Sequence, residues 1–227
     1  MEKKHTDRVY RASLEKLRHR LLSMAGRVEE MIALSVESLV EQDVELANRV
    51  IKSDNLVNLD EIETDELCLV ILAKWQPVAS DLRFLTLALK MVTDLERIGD
   101  LAVNICERTI VLGTDPPIKP YVDIPRMGEF VQEMIRDAVD AFVEKDAQKA
   151  QSVIERDDVM DDWYRKVFRD ILDLMLEDEA NVERGIRVQS VAKLLERMAD
   201  HTTNLAEHVI FLVKGEGVRH VGKLGRG

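Results

Sequence analysis

Aromatic residues make up only 4% of this 227-residue chain, and it has just 10 glycines, 5 prolines and 2 cysteines. So few turn formers and aromatics leave little from which to build a β-sandwich or barrel. The cysteines, Cys68 and Cys106, form no CxxC pair and lie in apolar stretches, so they are expected to be reduced, buried thiols. Positive charge is also short: the formal net charge is −11. That argues against nucleic acid, whose binding depends on a basic patch, and disfavours docking on anionic lipid. No long apolar run occurs. The longest, LCLVILA at 67–73, falls far short of the roughly 20 residues of a membrane span. MEKKHTDRVYRASLEK at the start has no apolar core, so no signal peptide is expected.

What remains is 46% apolar and 33% charged, dominated by helix-forming residues, and reads as all-α. Leu14, Leu17, Leu21, Met24, Val28 and Met31 recur at three-four spacing on a first helix, about 7–42. Asp43 can cap a second, 44–75. Pro77 ends that pattern, and Ser80 or Asp81 can cap a third, 80–112. Its seam reads Leu85, Ala88, Val92, Leu95, Gly99, Ala102, Cys106. Four of the five prolines then fall in GTDPPIKPYVDIP, 113–125, a stiff linker.

After the linker the pattern restarts. MIALSVESLVEQDVELANRVIKSD at 31–54 aligns with MIRDAVDAFVEKDAQKAQSVIERD at 134–157, an offset of 103. DLERIGD at 94–100 returns as LLERMAD at 194–200, an offset of 100. This is an internal duplication. The expected architecture is two tandem three-helix bundles, 1–112 and 126–213, joined by the linker 113–125 and followed by a Gly-rich tail, 214–227. The second half's helices are expected at 126–144, 146–177 and 181–213.

The duplication keeps a polar stripe: Glu96, Asp100, Asn104, Glu107, and again Glu196, Asp200, Asn204, Glu207. Glu96 and Asp100 share a helix face, and like charges at that spacing repel. A chain with 43 acids should contain roughly eight such pairs by chance, so one pair carries no weight. Recurrence of the whole stripe, beside the seam, is what marks it. An antiparallel second helix would bring Asp54 and Asn58 level with residue 98, with Glu61 continuing the line. In the second half Asp157 and Asp161 would stand level with residue 198. Clustered carboxylates raise one another's pKa unless a cation neutralises them, and oxygen-only ligands suit magnesium, calcium, manganese or iron. Arg97 and Arg197 are expected to pair with nearby acids, with anion binding as the alternative. His201, directly after Asp200, is expected to be a lone surface histidine, with a ligand role as the alternative. A di-iron oxidase would need Glu-x-x-His, but Gly99 and Ala199 stand three after Glu96 and Glu196, so no enzyme is expected.

LRHRLLSMAGRVEEMIALSVESL, VNLDEIE, QPVASDLR, both LER stretches and VKGEGVRHVG together resemble the PhoU family of phosphate-uptake regulators over nearly the whole chain. The resemblance implies two three-helix bundles in a cytoplasmic protein acting at the inner face of the membrane. It implies an adaptor, not an enzyme, that links the Pst phosphate ABC transporter to the PhoR sensor kinase as a negative regulator. It leaves the oligomeric state open, a homodimer included. Some members bind multinuclear iron or zinc through E(D)xxxD motifs. By resemblance the ligands would be Glu96 with Asp100, Glu196 with Asp200, and Glu61 with Asp65, with Asp157 and Asp161 answering in the second half. ERMAD replaces the family's ERIGD, which puts a methyl at the seam at Ala199.

Overall fold

Gln42 and Lys145 both adopt the left-handed conformation, at φ 53° and 56°, and each is followed by an aspartate that starts a helix. The Asp43 amide donates back to Ser38 O, and the Asp146 amide to Ala141 O, both at 2.9 Å. Asp43 then accepts from Leu46 N at 2.8 Å, as Asp146 accepts from Gln148 N at 2.8 Å. One turn, with a Schellman-type stop and an Asx start, is thus used twice. A non-glycine residue in that region costs about 1 kcal/mol.

The computed structural model describes residues 2–113 and 123–215. Among them the chain forms α1 (Glu2–Val40), α2 (Val44–Trp75), α3 (Ala79–Leu112), α4 (Asp123–Glu144), α5 (Ala147–Glu155), α6 (Asp157–Glu177) and α7 (Val182–Lys214), with a 3₁₀ turn at Glu179–Asn181. No strand occurs among the described residues. Most of the linker, 114–122, and most of the tail, 216–227, lie outside them.

Three boundaries differ from those read in the sequence. α4 starts at Asp123, so Pro125 stands in its first turn, where proline is tolerated, and not in the linker. Neither Ser80 nor Asp81 caps α3. Its N-cap is Val78, without a side-chain bond, and Asp81 instead accepts from the Tyr10 hydroxyl at 2.8 Å. The helix expected at 146–177 is broken at Arg156. The Arg156 amide reaches Val153 O at 3.1 Å, a tightened bond, while its guanidinium holds Asp137 at 2.6 Å. Asp157 and Asp158 begin the new helix, where acids are favoured by the helix dipole. The apolar period runs through the break, so it left no mark in the pattern.

The modules do not sit apart. α1, α3, α4 and α7 form a four-helix centre, with α2 packed outside α1 and α3, and α5 and α6 outside α4 and α7. Leu17, Val28, Leu85 and Ile98 share one continuous core with Met127, Val131, Val191 and Leu195. Gly128 on α4 lets α1 approach closely; a β-carbon there would stand 3.0 Å from Val36 Cγ2. Nearby, Arg136 of α4 pairs with Glu29 of α1 at 2.9 Å. Across the centre, Phe84 of α3 stacks on Phe142 of α4 with centroids 5.1 Å apart. The halves are therefore fixed to each other by burial, each large side chain contributing about 1.5–3 kcal/mol.

Candidate functional site: two carboxylate faces and the seam between them

In the first half α2 and α3 run antiparallel in the register expected. A β-carbon on Gly99 would lie 3.4 Å from Val57 Cγ1 and 3.5 Å from Asp54 Oδ1. Glu61 meets the Thr93 hydroxyl at 3.5 Å, and Asn58 donates to Asp54 at 2.8 Å. Asp54, Glu61 and Asp65 are half-buried on α2; on α3 Glu96 is half-buried and Asp100 exposed.

These carboxyls act on one another. Burial raises Glu96, and the charges of Asp100, Glu61 and Asp54 raise it further, against Arg97. Burial likewise raises Glu61, followed by the charge of Asp65. Asp54 is raised by burial and by Asp100, against the bond from Asn58, and Asp65 by burial. Asp54 Oδ1 and Asp65 Oδ1 are buried without a hydrogen-bond partner. Such oxygens cost about 1–3 kcal/mol each.

The second face is assembled differently. Burial, then the charges of Asp200, Asp161, Glu196 and Asp158, push Asp157 up to about 6. Five acids thus gather, as in the first half. Here, though, a lysine joins them: Lys193 Nζ lies 2.6 Å from the Glu196 carboxylate and 5.1 Å from the Tyr164 ring centroid. Lys193 corresponds to Thr93 in the first half. Among the described residues the first face has only the charge of Arg97, without a salt bridge, to offset it, whereas the second carries a counter-ion in contact. Among the described residues, no three His, Cys, Asp or Glu side chains are already gathered as a ligand set on either face.

Between the faces lies the α3/α7 seam, and part of it was not legible. Asp94 is 6% exposed. It takes His201 Nδ1 at 3.1 Å and His208 Nε2 at 3.3 Å, both from the other module. Burial alone would raise its carboxyl, but the two histidine hydrogen bonds and charges hold it at about 2. His201 is accordingly not a lone surface residue; it is part of a buried inter-module cluster. A signal was present. At a core-facing position Asp94 replaces the Leu194 of the other copy, and His201 and His208 share one face two turns apart. The pairing expected for Arg97 is electrostatic only, its charge lowering Glu96 and Glu61; among the described residues neither Arg97 nor Arg197 forms a salt bridge. Both line a cleft of about 310 Å³ with Asp100, Leu101, Asn104 and His201.

Fold and site together define a duplicated helical-bundle protein whose modules are fused at a four-helix centre and bear one carboxylate face each. The family model described as PhoU domain matches twice, at residues 21–109 and 124–209. An Aquifex aeolicus protein named phosphate-specific transport system accessory protein PhoU homolog is 43% identical over 91% of this chain and 94% of its own. The crystal structure of PhoU from Pseudomonas aeruginosa has a TM-score of 0.87 at 39% identity, covering 91% of this chain and 100% of that one. The phosphate transport system regulatory protein PhoU from Streptococcus pneumoniae has a TM-score of 0.86 at 28% identity, covering 92% and 99%. The chain belongs to the PhoU family, a family of accessory proteins and not of enzymes. No helix among the described residues is long and apolar enough to cross a membrane.

Proposed function

We propose that this protein is a negative regulator of the phosphate-starvation response, coupling a Pst-type phosphate ABC transporter to a PhoR-type sensor kinase at the cytoplasmic face of the membrane. The observation that carries the reading is the near full-length match to proteins named as accessories of the phosphate-specific transport system, such as that of Escherichia coli, 33% identical over 96% of this chain and 91% of its own. The net charge of −11 supports a part played through proteins and cations, and not through nucleic acid. Deleting the gene should switch starvation genes on in phosphate-rich medium, and the full chain should co-purify with both the transporter and the kinase. Normal repression in the deletion strain would overturn this reading.

The carboxylate faces are the second part of the proposal. Oxygen donors alone suit iron, manganese, magnesium or calcium better than zinc. In the first half Asp54, Glu61, Asp65, Glu96 and Asp100 would hold the cation. The buried, partnerless oxygens of Asp54 and Asp65 support that fit. In the second half Asp157, Asp161, Glu196 and Asp200 would do so only by displacing Lys193. Metal content by mass spectrometry, on protein purified without chelator, tests this. Thr93→Lys should empty the first face, and Lys193→Thr should raise occupancy of the second. Equal metal content in the parent and Thr93→Lys would refute it.

A further inference from the structure

The α3/α7 seam brings the two copies of one arginine to the same cleft. Arg97 and Arg197 occupy equivalent positions of the repeated LER stretch. Each long helix brings its own copy to the cleft of about 310 Å³. Arg18, Arg20, Arg27, Arg136, Arg156, Arg165 and Arg187 hold carboxylates, whereas Arg49, Arg83, Arg108, Arg126 and Arg169 hold none among the described residues; what sets Arg97 and Arg197 apart is that they share one cleft. Arg97 and Arg197 form no salt bridge among the described residues, although acids outnumber bases 43 to 32 in the chain. The charge of Arg97 reaches Glu96 and Glu61, but neither guanidinium has its donors taken up in a salt bridge among the described residues, and both can present forked donors to an oxyanion. Asn104 adds an amide that already donates one hydrogen bond to Asp100 O at 2.9 Å, and His201 adds an imidazole whose Nδ1 is held by Asp94 at 3.1 Å.

Asp100 also lines the cleft, and it selects among anions. A carboxylate accepts hydrogen bonds and has none to give. Beside a fully deprotonated anion it would only repel; beside an anion that still carries a proton it accepts a hydrogen bond. Inorganic phosphate carries such a proton at neutral pH, and sulfate does not. We propose that the cleft lined by Arg97, Arg197, Asn104, His201 and Asp100 binds free inorganic phosphate, the arginines holding its charge and Asp100 accepting a hydrogen bond from its hydroxyl. This does not rest on the regulatory reading, and because Asp100 also belongs to the first carboxylate face it describes that face without a cation.

The test is calorimetric titration of the full chain with inorganic phosphate, sulfate and phenyl phosphate, at low ionic strength with chelator present. Phosphate should bind saturably with a Kd below about 1 mM. Sulfate and the ester, a dianion at neutral pH apart from a minor protonated fraction, should each bind at least about tenfold more weakly. Arg97→Gln with Arg197→Gln, at exposed helix positions, should abolish binding while the helical circular dichroism signal is unchanged. Asp100→Asn should bring sulfate to within about threefold of phosphate. No saturable phosphate binding, binding of sulfate or phenyl phosphate as tight as that of phosphate, or undiminished binding in the double variant would each overturn the proposal.

Discussion

Asp94→Asn removes the charge from a buried carboxylate that joins the two modules, with almost no change of shape. In the folded chain this carboxyl is held at about 2 against an ordinary 3.8. Burial works against that; the hydrogen bonds and charges of His201 and His208 prevail. A gap of that size corresponds to about 2 kcal/mol of folding stability, and the low exposure of Asp94 means that solvent screens little of it. Because the folded value is depressed, the contribution is complete above about pH 4 and is lost as pH falls toward about 2. Urea unfolding at neutral pH should therefore show a loss of about 2 kcal/mol in the variant. A thermal melt should show a drop of about 4–8 °C for a chain of this size. The profile is the sharper test. The difference between parent and variant should narrow between about pH 4 and pH 2, as the parent loses what the variant never had. A neutral-pH loss below about 0.5 kcal/mol, or a difference as large near pH 2 as near pH 7, would refute the reasoning.

The opposite sign is expected at Asp157, which burial and neighbouring charges push up to about 6. Its penalty is present above that value and is relieved as pH falls through about 6 toward about 4, so Asp157→Asn should gain about 1–2 kcal/mol near pH 7.5 and nothing below about pH 4. An unchanged or lower urea midpoint near pH 7.5 would count against it. Gly99→Ala adds a methyl at ordinary contact distance, 3.4 Å from Val57, and should stabilise the helix by about 0.5–1 kcal/mol. Gly185→Ala meets Met175 Cε at 2.4 Å and Cγ at 2.9 Å, and should instead cost about 1–2 kcal/mol; thermal melts of the pair check both signs. Burial pushes Cys68 up to about 12, with the charge of Asp65 adding, and raises Cys106 to about 11. Both thiols should react with an aromatic disulfide reagent no faster than the chain unfolds, and a fast phase in native buffer would refute their burial.

The helices and the repeat were legible because each leaves a periodic trace. Seam residues such as Leu17, Met24, Leu85 and Leu95 are completely buried, and the antiparallel register followed from the turn near Pro77. What did not show was whatever keeps the period while changing geometry or partners. Arg156 stays helical in φ and ψ, so no periodicity registers the break beside it. The seam between modules joins residues more than 100 positions apart, and no spacing rule reaches that far. Only a mismatch between the copies, aspartate against leucine at positions 94 and 194, hinted that the seam holds a charge.

That mismatch bears on how a duplicated protein comes to have unequal halves. If the modules were identical, the α3/α7 seam would carry every interaction in symmetric pairs. Instead Asp94 has Leu194 as its counterpart, His201 has Leu101 and His208 has Arg108, so the Asp94–histidine cluster can form only once. Position 93 behaves likewise. Thr93 leaves the first carboxylate face charged, whereas Lys193 sits 2.6 Å from the Glu196 carboxylate and neutralises part of the second. Few residues separate a face with no cationic contact among the described residues from one that supplies its own. The shared features, LER and the acids at 96, 100, 196 and 200, place carboxylates on both outer faces and arginines at the seam. The unshared ones make the faces unequal and tie α3 to α7 through a buried charge. A cation taken by the first face would therefore act on a helix already anchored to the other module.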